Sequence, residues 1–345
     1  MKTRPLAHPL TGLTAAASDP RRIARVLSGI VVVGLLGCGT DPGEGETAED
    51  REPATTADAS LPDDVQAISL LGDTLRASVA AAAEPGLTAD LEAALAEYEA
   101  NPDDADALVW YGRRLGYLQR YREAIRVFSR GIEEHPDDAR MYRHRGHRYI
   151  STRRFNDAIA DFARAATVID GRPDEVEPDG LPNARGIPTS TLQSNIWYHY
   201  GLAQYLLGDF EDALDSYRRY MDVTTTPDQL VAISNWRYMA LRRLGRDDEA
   251  AAVLEPITAD LEVFENTSYH DLLLMYRGEL DAESLWGGQD DALGSATVGY
   301  GVANWLLYNG QTDEAVTALE QVLQTGQWAS FGYVAAEADL ARMGR

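Results

Sequence analysis

A repeat with a period of thirty-four residues constrains the fold of this chain more than any other feature. The clearest copy consists of Leu108, Gly112, Ala124, Phe128 and Pro136. Thirty-four residues after the first four of these positions stand Tyr142, Gly146, Ala158 and Phe162. A third copy, displaced by fifty-five residues, consists of Trp197, Gly201, Ala213 and Tyr217. A fixed period of this length predicts a stack of similar helical units, with an insertion of twenty-one residues before the third copy.

The small and large residues of each copy suit a stack of helix pairs. Glycine in the first helix and alanine in the second let neighbouring helices approach closely, and the aromatic residues fill the layer between units. This pattern resembles the tetratricopeptide repeat over about residues 62–345. The resemblance implies an all-α fold, a right-handed α-solenoid of antiparallel helix pairs. Its units would begin near Leu71, Ala105, Ala139, Ser194, Val231, Phe264 and Ala296.

The two ends of the repeat region carry their own expectations. The apolar-periodic segment at 327–343 predicts a C-terminal capping helix that covers the end of the stack. Before the repeats, residues 38–63 are rich in Gly, Pro, Thr, Ala and acids, and such a composition cannot bury enough apolar surface to fold. We expect this segment to be a flexible acidic tether, and residues 64–345 to be the solenoid.

The first thirty-seven residues have the layout of a secretory signal. Arg21, Arg22 and Arg25 precede an apolar run at 26–37, which is too short to span a bilayer. The run ends at Cys38, the single cysteine of the chain, so no intrachain disulfide can form. The alternative is an apolar stretch that happens to end in cysteine.

Residues 35–38, Leu-Leu-Gly-Cys, resemble a bacterial lipobox. The resemblance implies that residues 1–37 are a lipoprotein signal peptide and that Cys38 carries the lipid, the one contact with a membrane. It also implies a place in the cell envelope. Gly39 after the cysteine, in place of aspartate, favours the periplasmic side of the outer membrane if the source is Gram-negative.

Charge is distributed very unevenly. The net charge of -24 argues against binding to nucleic acid or to anionic lipid. Between Trp110 and Phe155, however, twelve arginines stand against five acids, a local charge of +7. Such segregation marks a local electrostatic feature.

The repeat register places part of this cluster on one surface. In the family that the sequence resembles, the second, fifth, sixth and ninth positions of each first helix line the concave surface. In three successive units these positions include Arg113, Arg140, Arg143, His144, His147, Asn195, Tyr198 and His199. The resemblance implies a clamp for a carboxylate, with arginine and histidine where the family uses lysine and asparagine. The alternative is a structural ion-pair network, in which Arg145 in particular needs a buried partner.

The insertion at 171–193 follows the basic unit directly. It contains four prolines and the acids Asp174, Glu175, Glu177 and Asp179. A loop of this length in a compact array is functional or disordered. We expect its acids, Glu177 and Asp179 above all, to reach back to the Arg/His residues, as a permanent strut or as a lid that a ligand displaces.

The sequence therefore predicts a non-catalytic scaffold that binds a protein partner in the cell envelope, without cofactor, metal or nucleic acid. It contains no nucleophile motif and no phosphate loop. One alternative is a receptor or enzyme for a metal or a small anion, built on His144, His147 and His199 with a nearby carboxylate. Another is a purely structural array whose arginines pair internally.

Overall fold

A computed structural model describes residues 61–62, 64–78, 85–183, 185–289 and 291–345. The predicted signal peptide and Cys38 lie outside the described residues, as does the predicted tether apart from residues 61 and 62. Within the described residues the protein is almost entirely helical, so the predicted all-α fold is confirmed. None of the described helices is long and apolar enough to cross a membrane.

The described residues form fourteen helices. They are α1 Pro85–Ala100, α2 Ala105–Tyr117, α3 Tyr121–Glu134, α4 Ala139–Ser151, α5 Phe155–Ile169, α6 Leu192–Leu207, α7 Phe210–Asp222, α8 Pro227–Arg243, α9 Asp247–Leu254, α10 Thr267–Tyr276, α11 Ala282–Gly287, α12 Ala292–Tyr308, α13 Thr312–Gln324 and α14 Phe331–Arg342. From α2 to α13 they form six pairs. The pairs that open with α2 and α4 begin at the predicted residues, and the other four begin within four residues of them.

Polar caps fix the starts of the first helices. The carboxylates of Asp104 and Asp138 accept hydrogen bonds from the first turns of α2 and α4, and Thr191 caps α6 in the same way. These side chains satisfy backbone N–H groups that have no partner inside the helix. The caps therefore hold α2, α4 and α6 in register with the repeat.

A left-handed residue recurs at the turn inside every pair. The residues with positive φ are Gln119, Arg153, Gly208, Gly245, Gly278 and Gly310, with φ between 57° and 92°. In each turn the next amide donates to a carbonyl five residues earlier, at 2.8–3.0 Å. This geometry favours glycine. The six equivalent turns show that the unit formed by α10 and α11 belongs to the same series.

Close helix packing explains the glycine of each clear copy. A Cβ added to Gly112 would lie 2.5 Å from the ring of Phe128, and one added to Gly201 would lie 2.3 Å from the ring of Tyr217. Both rings are buried. Glycine in the first helix thus makes room for the aromatic residue of the second helix of the same unit.

The first predicted unit differs from the structure. Where a helix near Leu71 was expected, the chain forms an antiparallel hairpin of β1 Val65–Ile68 and β2 Thr74–Arg76. The turn contains Gly72, with φ 93°. Val65, Ala67 and Leu75 of this hairpin are buried.

The C-terminal helix α14 does more than cover the end of the stack. It packs against α12 and α13 as predicted, and it also contacts α6. Glu337 of α14 accepts two hydrogen bonds from Arg153, at 2.7 and 3.0 Å, and one from the amide of Leu70 at 2.7 Å. The last helix therefore ties together the middle of the array and the N-terminal hairpin.

Candidate functional site

The first helices α2 and α4, the N-terminal part of α6 and the insertion border a half-open cavity of about 190 Å³. Most of its polar lining comes from the basic cluster and the insertion. The polar and ionisable side chains that line it are Arg113, Tyr117, Arg143, His144, His147, Arg148, Glu177, Asp179, Thr189, Ser190, Asn195 and Glu265. We call this space the arginine cavity.

Glu177 is the buried carboxylate of the arginine cavity. Its side chain is 6% exposed, and it lies 3.2 Å from Nε of Arg143, 3.1 Å from Nε2 of His144 and 3.9 Å from Nη1 of Arg113. Nδ2 of Asn195 donates a hydrogen bond of 2.9 Å to its Oε2. The prediction that acids of the insertion reach back to the Arg/His residues is therefore confirmed for Glu177. It is wrong for Asp179, which is exposed and accepts a hydrogen bond from the amide of Leu181.

Electrostatics keep Glu177 ionised. Burial alone would raise the pKa of this carboxyl, but the charge of Arg143, helped by His144 and Arg113, outweighs burial and holds the pKa well below its usual range. The carboxylate thus meets its positive partners as a full negative charge.

His144 is neutral and its tautomer follows from its neighbours. Nη1 of Arg143 lies 2.8 Å from Nδ1 of His144, and because arginine only donates, Nδ1 accepts. The proton therefore sits on Nε2, which faces Glu177. Burial and then the charge of Arg143 lower the pKa of His144 to about 3. The contact between His144 and Glu177 is thus one between a neutral imidazole and an anion.

His147, which lines the cavity, forms a tilted ring pair with His199. Their ring centroids are 4.4 Å apart, and Phe331 of α14 packs on both rings. Nδ1 of His199 donates to the carbonyl of Asn195 at 2.6 Å, whereas Nδ1 of His147 is buried and has no hydrogen-bond partner among the described residues. Burial, followed by the charge of Arg143, lowers the pKa of His199 to about 3. Burial and the charge of Arg148 lower the pKa of His147 well below its usual value.

Three of the predicted groove residues do not line the arginine cavity. Arg140 forms ion pairs with Asp138 and Asp106, at 2.6 and 2.5 Å. Tyr198 accepts a hydrogen bond from Trp236 at 2.7 Å and packs against Phe331, which also covers His199. The concave surface at α6 is therefore filled by the protein's own C-terminal helix, instead of lying open as expected.

Other arginines of the cluster serve the fold. Arg145 forms two hydrogen bonds to the buried carboxylate of Asp161, at 2.7 and 2.8 Å, so the prediction that it needs a buried partner is confirmed. Arg153 pairs with Glu337, and both side chains are at most 2% exposed. The structural alternative therefore holds for these two residues, and the groove alternative is left with Arg113, Arg143, His144, His147 and Asn195.

Sequence reasoning missed Arg148 as a cavity residue. Its guanidinium stacks over the ring of Tyr121, at 4.9 Å, and reaches the cavity past Gly116. A Cβ on Gly116 would lie 2.8 Å from Nη1 of Arg148. Position 148 is not one of the repeat positions that were expected to line the concave surface. The one sequence feature that could have indicated it is Gly116, the second glycine of α2.

The predicted metal alternative finds no cluster of ligands. Across the described residues, no group of three or more His, Cys, Asp or Glu side chains is arranged to hold a metal ion. Nδ1 of His144 is occupied by Arg143, and Nδ1 of His199 is occupied by a carbonyl. The positive charges of the arginines also oppose a cation.

Comparison with known proteins identifies the repeat. Residues 112–175 and 196–222 match family models described as tetratricopeptide repeat, so the chain contains repeats of this type. No curated protein matches the sequence.

Two solved structures to which the chain is similar are distant in sequence. One is YrrB, described as a tetratricopeptide repeat protein with an unusual peptide-binding site, with 15% identity, 68% of this chain and 93% of that chain covered, and a TM-score of 0.39. Another is a tetratricopeptide repeat protein from Parabacteroides merdae, with 13% identity, coverage of 71% and 89%, and a TM-score of 0.44.

Proposed function

We propose that this protein is a non-catalytic tetratricopeptide scaffold that binds a carboxylate-bearing segment of a protein partner at Arg113, Arg143 and His144. In the unbound chain Glu177 occupies the place of the partner's carboxylate. The observation that carries the proposal is a buried glutamate, delivered by a long insertion, on the very side chains that the repeat register assigned to ligand binding.

The contacts of Glu177 favour a lid over a strut. Nε of Arg143, Nε2 of His144 and Oε1 of Glu177 are buried close to one another, and none of them makes an aligned hydrogen bond within the part of the chain that the structure describes. Buried polar atoms without hydrogen bonds cost free energy. A carboxylate on a free segment can adopt the aligned geometry that Glu177 cannot, and this gain favours displacement.

The backbone of the insertion supports the same conclusion. Between α5 and α6 the described residues contain no helix, and one isolated bridge joins Val176 to Thr191. Most of the segment is exposed, including Val176, Leu181 and Ile187. A segment with so few buried contacts opens at low cost compared with the helices around it.

The partner that we propose is a protein of the cell envelope, and Cys38 would carry the lipid that anchors the scaffold there. This part of the proposal rests on the sequence of residues 1–38, on the chain's acidity and on the composition of the segment before the repeats. Mass spectrometry tests this part of the proposal independently of the arginine cavity. We expect the added mass of a lipid group on Cys38, and we expect Cys38→Ser to abolish it.

A synthetic peptide array tests the site. It carries peptides with free C-terminal carboxylates beside the same peptides as C-terminal amides and as internal segments that contain Asp or Glu. We expect the full-length chain to bind a subset of carboxylate peptides and to lose them on amidation or on replacement of the acid. Glu177→Gln should bind the same subset about tenfold more tightly, because the internal competitor is weakened.

Two variants make the array decisive. Glu175→Gln removes the same charge two residues away, on an exposed side chain, and should behave like the native chain. The double variant Arg143→Gln/Glu177→Gln removes one charge of the clamp and the charge of the lid together, so neither charge is left buried without its partner. This variant should bind none of the peptides. Equal binding by native chain and double variant would refute the site assignment, and unchanged affinity in Glu177→Gln would make the insertion a strut.

A further inference from the structure

Positive charge exceeds negative charge in the interior of the arginine cavity. Arg113, Arg143 and Arg148 all line it, and Glu177 is the single carboxylate that lies within 4.0 Å of any of these guanidinium groups among the described residues. Glu177 contacts Arg143 closely, but it lies 3.9 Å from Arg113 and makes no ion pair with Arg148. Two guanidinium groups are therefore left without a close counter-ion.

Arg148 is the more poorly compensated of the two. Its guanidinium packs on Tyr121, and within the described part of the chain it has neither a carboxylate within 4.0 Å nor a hydrogen bond to a side chain. Burial lowers its pKa, and the charges of Arg143 and Arg113 lower it further. Arg148 is partly buried, and an anion beside it would supply the counter-charge that its surroundings lack.

The acids at the rim do not supply that anion. Asp179 accepts the amide of Leu181 at 2.9 Å, and Glu265 accepts the hydroxyl of Thr189 at 2.6 Å. Both side chains are exposed, and neither lies within 4.0 Å of an arginine of the cavity in the described residues. Water therefore screens their charges, and their hydrogen bonds hold the insertion in place.

The remaining space fits a small group. The volume of about 190 Å³ corresponds to several water molecules, since one water takes about 30 Å³ of liquid volume. Tyr117 and Ser190, which carry hydroxyl groups, line it together with the arginines. Hydroxyl and guanidinium donors around a compact space match the acceptor oxygens of a tetrahedral oxyanion.

We propose that the arginine cavity binds a free oxyanion of the size of phosphate or sulfate between Arg148 and Arg113, while Glu177 stays in place. The anion neutralises the mutual repulsion of the arginines and stabilises the closed insertion. This site goes beyond the proposed function, because it takes a small inorganic anion and not a segment of a partner.

Titration calorimetry of the full-length chain with sodium phosphate, and separately with sodium sulfate, tests the proposal at a constant ionic strength set with chloride. We expect saturable binding of one anion per chain. Arg148→Gln should weaken it by about tenfold or more, the effect of losing a hydrogen bond between charged groups. Arg148→Lys should keep part of the affinity, because the charge remains.

The control variant is Arg218→Gln, which removes an exposed arginine that is paired with Asp215 and does not line the cavity, and it should bind like the native chain. Circular dichroism confirms that each variant folds, and Arg113→Gln serves as a second cavity variant if Arg148→Gln does not fold. Absence of saturable heat with both anions, or equal affinity in the native chain and the folded cavity variant, would overturn the proposal.

Failure of this site and failure of the proposed function give different results. Glu177→Gln should keep anion binding whether or not peptides bind, since Glu177 is not one of the anion's ligands. Loss of peptide binding with intact anion binding would leave the anion site standing, and the reverse would leave the scaffold proposal standing.

Discussion

Acidification should destabilise this protein through its buried histidines. His144, His147 and His199 are all neutral in the folded chain, because burial and neighbouring arginines lower their pKa values, to about 3 for His144 and His199. In the unfolded chain the same groups have a pKa near 6.5. Between these values the unfolded state binds more protons than the folded state, so stability falls as pH falls.

The magnitude follows from the size of this window. Each histidine contributes a slope of about 1.4 kcal/mol per pH unit, which amounts to about 2 kcal/mol between pH 6.5 and pH 5. Three such groups give about 6 kcal/mol, a large part of the stability of an ordinary domain. Glu177 acts in the same direction at still lower pH, because its pKa is also held below its unfolded value.

Urea unfolding of the full-length chain at pH values from 5 to 7 measures the slope directly. His144→Gln should reduce the slope between pH 5 and 6.5 by about 1.4 kcal/mol per unit, since one neutral histidine is lost. His135→Gln removes an imidazole outside this cluster and is the matched control. An unchanged slope in His144→Gln would show that this residue takes up protons normally in the folded protein, and would refute the neutral tautomer assigned to it.

Packing and ion pairing give three further predictions, each measured by chemical unfolding. Gly201→Ala should cost about 1–3 kcal/mol, because its Cβ would lie 2.3 Å from the ring of Tyr217; a loss below 0.5 kcal/mol (roughly the surface-substitution level) would contradict the close approach. Gly86→Ala, with open space around its Cβ in α1, should be neutral or stabilising by up to about 1 kcal/mol. Glu337→Gln should cost about 3–5 kcal/mol, since it leaves Arg153 buried without its counter-charge; a neutral outcome would mean that α14 does not depend on this pair.

The repeat could be predicted from the sequence because the contacts that require it lie within one unit. The glycine of the first helix and the aromatic ring of the second contact each other within one unit, so Gly112 with Phe128 and Gly201 with Tyr217 leave a fixed spacing in the sequence. The left-handed turn also recurs, but in the first two units its residue is Gln119 or Arg153 instead of glycine, so the sequence does not indicate the turn there. Both residues make long-range hydrogen bonds instead, to the segment after β2 and to α14.

The candidate site could be predicted only in part, because the positions of its other residues depend on contacts between distant parts of the chain. The register placed Arg143 and His144 on one helix face, and the composition of the insertion pointed to Glu177. The covering of His199 by Phe331 depends on how far the C-terminal helix folds back, which no local spacing encodes. The hairpin at β1 and β2 was missed because its strands are too short to separate from a helix by periodicity alone.

Hydrogen exchange of the insertion tests the central claim, that Glu177 holds the place of a partner's carboxylate. The amide of Leu192 donates to the carbonyl of Glu175 at 2.8 Å and reports whether the insertion is closed. With a saturating carboxylate peptide from the array, we expect faster exchange at this amide and slower exchange in α4, and the same acceleration in Glu177→Gln without peptide. Slower exchange throughout the insertion on peptide binding would contradict displacement and show that the insertion closes over its partner with Glu177 still in place.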